Sequence, residues 1–366
     1  MSTATATAPD APKVSTSSLT SGRMPKGMPW ILLGFSMFVS IALFVVLNIG
    51  GDLAQFNIVG ALLVGMIIYL IAITVFSSIA ESRRHAVDRL MTALVATAFV
   101  LALLPLVSLL FTVVAEGLAR FDGTFFSWSM RNVVGEGGGA VHAIWGTVLI
   151  TLTATVISVP IGIMTAIYLV EYGRGRIART ITFLVDVMTG IPSIVAGLFI
   201  YAVFSLFIRP GISFGMMGAL ALSVLMIPVV VRGTEEMLRI VPNELREASF
   251  ALGVPKWLTI VKVVLPTAIT GITTTVMLAI SRVIGETAPL VLTAGITPNL
   301  NMDLLDDPMM TLPVFAFYSY DTPGTDVQAY LDRAWAAALT LILIVMVLNL
   351  GARVVAKFFA PKMTGR

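Results

Sequence analysis

Two runs near the N-terminus, Trp30 to Ile49 and Ile58 to Ala80, hold no charged residue, and each is long enough to cross about 30 Å of hydrocarbon as a helix. Peptide groups in a bilayer have no water to bond, so such a run satisfies its backbone internally as a helix. Six more apolar runs follow: Met91 to Ala115, Ala143 to Val170, Thr180 to Ile208, Met216 to Val231, Pro266 to about Ala294, and Ala334 to about Ala352. The expected fold is therefore all-α, a polytopic membrane protein of about eight transmembrane helices. A composition of 57% hydrophobic and 12% charged residues, with a mean hydropathy of +0.97, agrees with this and not with a soluble domain.

Several functions are disfavoured at once. A net charge of +3 gives no support to nucleic-acid binding. With no cysteine, disulfides and thiolate metal sites are excluded, and His85 and His142 lack metal-ligand spacing. There is no HExxH or G-x-S-x-G pattern for an intramembrane enzyme. The glycine run from Gly135 to Gly139 could cradle an anion, but it lacks the Gly-Lys-Ser/Thr ending of a nucleotide loop and reads as a flexible turn.

Residues 1–28 are rich in Ser, Thr, Ala and Pro and read as a disordered tail, and the apolar run behind them is too long for a cleaved signal. Residues 29–80 read as a transmembrane hairpin with its turn at Gly50 to Phe56, and 81–142 as a third span with an external segment. Residues 143–357 form the remaining core, with a cytoplasmic loop at 232–266 and a short tail at 358–366. Of the 23 Lys and Arg, all but Arg120, Arg131, Arg209, Arg333 and the intramembrane Arg282 fall on one side if the N-terminus is cytoplasmic. The positive-inside rule then places both termini and the 232–266 loop in the cytoplasm.

Charged residues inside apolar runs are functional candidates, because each costs several kcal/mol to insert. Arg282 and Glu286 are four apart and would share one helix face, either lining a transport pathway or neutralising each other while packing the bundle. Asp186 lies close enough to the cytoplasmic end to reach water. Pro192, within Thr189-Gly190-Ile191-Pro192-Ser193, frees a backbone carbonyl. The polar stretch from Glu244 to Pro266 reads as a short helix of about nine residues. Asn243 would cap it, Gly253 would end it in a left-handed turn, and Pro255 would prevent its continuation. Leu245, Ala248 and Leu252 fall on one face, with small Ala248 and Ser249 open to close approach by another surface.

This stretch resembles the EAA loop of ABC importer permeases, with Glu247, Ala248, Ser249, Gly253, Val263, Leu265 and Pro266 at the pattern positions; Ser249 and Val263 depart from it mildly. The run Arg282-Val-Ile-Gly285-Glu286-Thr287-Ala288-Pro289-Leu290 resembles the signature of A-type permeases of phosphate importers, as do Tyr168 to Gly173 and Ile191-Pro192-Ser193-Ile194-Val195. The resemblance covers about Met91 to Lys357 and leaves the first two spans as an extra hairpin on a type I ABC importer permease core.

It implies a permease of the bacterial cytoplasmic membrane that forms half of a phosphate pathway. Its implied partners are an ATPase dimer, a homologous C-type permease and an external phosphate-binding protein, with membrane lipid around them. The chain itself would bind no cofactor, ATP and Mg residing on the ATPase. Glu247, Ala248, Leu252 and Gly253 would couple to that ATPase, and Arg282, Glu286, Thr287, Asp186 and Ser193 would line the substrate path. Helical interruptions at Pro160, Pro192 and Pro289 would absorb the movement. Permeases for sulfate or molybdate share the loop and are the nearest alternative, a secondary anion transporter a more distant one.

Overall fold

The structure is a computed structural model that describes residues 24–47, 57–81 and 83–359. The expected turn at Gly50 to Phe56 and most of both tails lie outside the described residues. Among the described residues the chain is helical without strands, and seven helices are long and apolar enough to span a membrane, or eight if one bent pair counts as a span. Two compact units meet at Leu109/Leu110, inside the third helix.

The first unit holds α1 (Met28–Leu47), α2 (Ile58–Ala80) and most of α3 (Arg83–Gly117). Small residues bring α1 and α2 together, as bundles in lipid require: Ser40 donates to the Ala61 carbonyl at 2.6 Å, and a side chain at Gly65 would collide with Met37. At the α2–α3 turn, Glu81 accepts both Arg89 Nε and Nη2 at 2.8 Å and the Met24 amide at 2.7 Å.

The second unit is built on α5 (Val141–Ile167) and α8 (Gly215–Ile240), which pack along their length. Ile150 and Ala154 on α5 share one core with Leu222, Met226 and Val230 on α8. Gly162 lies against Val230, and Gly146 against the Met310 backbone, so neither position has room for a side chain. α8 has 61% of its most apolar window buried, whereas α5 has 33%, which makes α8 the central helix of this unit. Around them run α4 (Gly123–Ser127), α6 (Gly175–Thr189), α7 (Ser193–Phe207), α9 (Asn243–Ala251), α10 (Lys256–Thr259), α11 (Leu265–Val283), α12 (Ala288–Thr293), α13 (Leu312–Asp321) and α14 (Val327–Phe359).

Four expected spans differ in detail. The run from Thr180 to Ile208 is not one helix: α6 and α7 meet at 108° across Gly190 to Pro192. Pro160, by contrast, lies within unbroken α5, because the packing of Gly162 on α8 holds the two sides of the proline in line. The seventh span starts at Lys256, not Pro266, passing through a π-helical turn at Ile260–Val264, and it stops at Val283. The eighth starts at Val327, not Ala334, and α13 occupies part of the stretch between the expected seventh and eighth spans.

The Arg89 guanidinium beside Glu81 holds its carboxyl down at about 2, well below the ordinary 4.5. A depressed folded value means that this contribution to stability is complete above about 4.5 and is lost as pH falls through about 2. In the carboxyl 13C resonance of Glu81 we expect a midpoint near 2, and in Arg89→Gln a return toward ordinary carboxylate values.

Candidate functional site

Helix α9 begins after Pro242 and not after an Asn243 cap: Asn243 is its first residue and makes no capping bond to the amides of the first turn. Proline suits this place because its missing N–H and fixed φ cost a helix start nothing. At the other end Gly253 has φ +77°, its amide donates to Phe250 O at 2.9 Å, and the Val254 amide donates to Ser249 O at 3.2 Å. This pair of bonds is a Schellman cap. No atom lies within 4 Å of a Cβ built on Gly253, so the backbone conformation alone demands glycine there.

Glu244, Leu245, Glu247, Ala248 and Leu252 are exposed, Leu252 at 83%. Ser249 is not part of that surface; it is buried and hydrogen-bonded to Thr259 at 2.8 Å, tying α9 to α10. The strongest anchor is Arg246, which the sequence reading counted only as a cytoplasmic charge. Its Nε donates to Glu171 Oε1 at 3.0 Å, its Nη1 to Val241 O at 2.6 Å and its Nη2 to Leu238 O at 2.9 Å, and Nη2 also lies 2.9 Å from Glu171 Oε1 in the ion pair. Glu171 belongs to a π-helical turn, Tyr168–Tyr172, that continues α5. Lys256 adds a bond to the Glu171 carbonyl and lies over the Tyr172 ring. One guanidinium therefore fastens the exposed helix to both central helices of the unit.

Next to this anchor Arg232 on α8 bonds Asp186 of α6 and, at 2.8 Å, Glu235, which also binds Arg239. Asp186 is thus an ion-pair partner that ties the short α6 to α8, and 58% of its side chain stays exposed.

Arg282 and Glu286 do not share a helix face. α11 ends at Val283, the chain turns through Ile284 and Gly285, and α12 starts at Ala288. Arg282 is exposed, Glu286 and Thr287 are half-buried, and among the described residues Arg282 and Glu286 form no ion pair. The expected shared face fails because the helical period stops between them, and with it goes the alternative of mutual neutralisation along one helix. This break adjoins the other one: α7 packs on α12 so closely that a Cβ at Gly197 would lie 2.6 Å from Pro289 Cα. Gly197 is one turn beyond half-buried Ser193, the first residue after the 108° bend. Ser193, Thr287 and Glu286 therefore come from two spans interrupted beside a common contact, an arrangement that frees backbone polar groups from the helical ladder.

The family described as binding-protein-dependent transport system inner membrane component matches residues 158–365. A phosphate transport system permease protein PstA 1 of Mycobacterium tuberculosis is 47% identical over 286 residues, 76% of this chain and 91% of that protein. The chain belongs to the PstA family. Its Yersinia pestis relative, also a phosphate transport system permease protein PstA, is 38% identical over 77% of this chain and 93% of its own length. The fold alone extends further: a bacterial ABC transporter that imports the polysaccharide alginate superposes with a TM-score of 0.53 at 12% identity, over 76% of this chain and 97% of that one. The chain is accordingly a multi-pass membrane protein of bacterial type.

Arg333 was also misplaced by sequence, which put it in an external loop. It lies within α14, 1% exposed, with Nη1 donating to Gly135 O and Gly137 O at 2.8 Å and its guanidinium over the Tyr330 ring. Arg120 donates to Gly138 O at 2.8 Å. The glycine run thus turns carbonyls toward two arginines, the opposite polarity to an anion cradle.

Removing one partner from a buried ion pair costs about 3–5 kcal/mol. Arg246→Gln should therefore leave the membrane helices intact but speed amide exchange across α9 by about 10²-fold or more, at tenfold per 1.4 kcal/mol. Exchange mass spectrometry of the purified protein is the check, and unchanged protection would place the anchor elsewhere.

Proposed function

We propose that the chain is one of two permease subunits of an ATP-driven phosphate importer of the bacterial cytoplasmic membrane, forming half the translocation path beside a homologous C-type subunit. The carrying observation is α9, an exposed helix capped at one end by Gly253 and bolted to α5 and α8 through Arg246. Such a helix gives a separate ATPase dimer a handle on the core of the second unit. The PstA relatives, named for phosphate transport, favour phosphate as the substrate, and the family's binding-protein-dependent description favours an external binding protein as its source. ATP and Mg then belong to the ATPase, this chain catalyses nothing, and α9 and both termini face the cytoplasm.

Closure of the ATPase dimer moves α9. Arg246 carries the displacement to Glu171 and to the end of α8, and the Arg232 pairs pass it to α6 and the bend before Ser193. Arg282, exposed and without an ion pair among the described residues, lowers the barrier for the anion. Glu286 limits how tightly the anion binds, and the Ser193 and Thr287 hydroxyls supply neutral donors. Uptake of labelled phosphate against sulfate by the reconstituted complex tests the reading, and transport of sulfate alone overturns it.

Two variants separate coupling from conduction. A β-branched residue at φ +77° costs roughly 1–2 kcal/mol, so Gly253→Val should weaken ATPase docking by about 5–30-fold; Glu247→Lys should weaken it through charge. Co-purified ATPase and phosphate-stimulated ATP turnover report both. Arg282→Gln should abolish uptake while the complex still assembles, and wild-type uptake in that variant would make Arg282 a packing residue.

A further inference from the structure

The first unit contains a cavity of about 600 Å³ that no transport step uses. One wall is a single stripe of α3, from His85 through Asp88, Arg89 and Ala96 to Val100, and the other walls are the start of α1 at Trp30 and the second half of α2 at Tyr69. At 1.5 Å per residue the stripe runs about 22 Å. Its charged groups all lie in the first two turns of α3, and beyond Thr97 it offers only apolar surface. The cavity is thus polar at the helix-end mouth and apolar toward mid-membrane, the polarity profile of a lipid leaflet.

The mouth carries both signs of charge. Arg89 spends Nε and Nη2 on Glu81, and among the described residues its Nη1 makes no hydrogen bond and the carboxylate of Asp88, one residue earlier, makes no ion pair. His85 adds an imidazole N–H donor at the same rim. A headgroup with one phosphate and one ammonium complements this set, whereas a purely anionic one would meet Asp88 unfavourably. We propose that the cavity seats one zwitterionic phospholipid, phosphatidylethanolamine, with its phosphate at Arg89 and His85, its ammonium at Asp88 and one acyl chain along α3. The lipid fills the gap between the N-terminal hairpin and α3 and joins them as a packed body.

The test uses the full-length protein, purified in mild detergent with equal phosphatidylethanolamine and phosphatidylglycerol, and native mass spectrometry of the retained lipid. Wild type should favour phosphatidylethanolamine by about fivefold, the ratio for ~1 kcal/mol. Asp88→Lys should reverse that preference, and Ala96→Phe, which fills the slot from its wall, should remove most bound lipid. The Glu81 carboxyl resonance reports whether the hairpin turn survives in each variant. Diazirine-bearing phosphatidylethanolamine should label residues 85–100 above other membrane helices. Equal retention of both lipids, labelling spread evenly over every helix, or cross-links from a photoreactive residue at position 96 into residues 1–23 would each overturn the proposal.

Discussion

A peptide group within hydrocarbon must find its partner in its own helix or on a neighbouring protein surface, and the second unit is arranged around that constraint. α5 runs unbroken through Pro160 and α8 through Pro228, because each is pressed against the other along the shared core of Ile150, Leu222, Met226 and Val230. Two of the interruptions lie beside one tight contact between helices. The bend at Gly190 to Pro192 and the turn at Ile284 to Thr287 flank the Gly197–Pro289 contact, where α7 and α12 approach nearly backbone to backbone. The breaks themselves stay open, with Gly190, Pro192 and Gly285 exposed, while Ser193 and Thr287 beside them are half-buried.

The same frame needs a rigid connection to the surface. α9 buries little of itself, so packing alone would leave it loose. Arg246 solves this by terminating α8 and pairing with Glu171 at once, with side-chain exposures of 12% and 7%. Low solvent access matters here, since an exposed pair is worth at most about 1 kcal/mol whereas a buried one, once formed, is costly to separate. The π-helical turns at 168–172 and 260–264 lie on both sides of this junction. Extra residues in a turn shift the helix phase, which lets Glu171 face Arg246 without ending α5.

Much of the fold was legible because hydropathy and end signals are local. The long runs, the nine-residue length of α9 and the left-handed turn at Gly253 follow from residues next to one another, although Asn243 is the first helical residue and not the cap. What escaped the sequence was contact between residues far apart: Arg246 with Glu171, Arg232 with Asp186, Arg333 with the glycine run. The error at Arg282 and Glu286 has a different origin. A four-residue spacing puts two side chains on one face only if the helix persists, and Gly285 offers no side chain to hold it. Proline was an equally poor guide alone, since Pro160 and Pro192 have opposite outcomes set by what packs against them.

Cations sort by the same logic. Arg89, Arg120, Arg232, Arg246 and Arg333 are each engaged by carboxylates or carbonyls of this chain, and each fixes one element to another. Arg282 sits in the last turn of α11, where the helix dipole already favours a positive charge, yet its head is left exposed. A cation at its own helix C-terminus is complemented by the helix dipole and needs no fixed side-chain counter-ion. With no internal pair to break first, its exposed head is what supports the proposed meeting of Arg282 with phosphate.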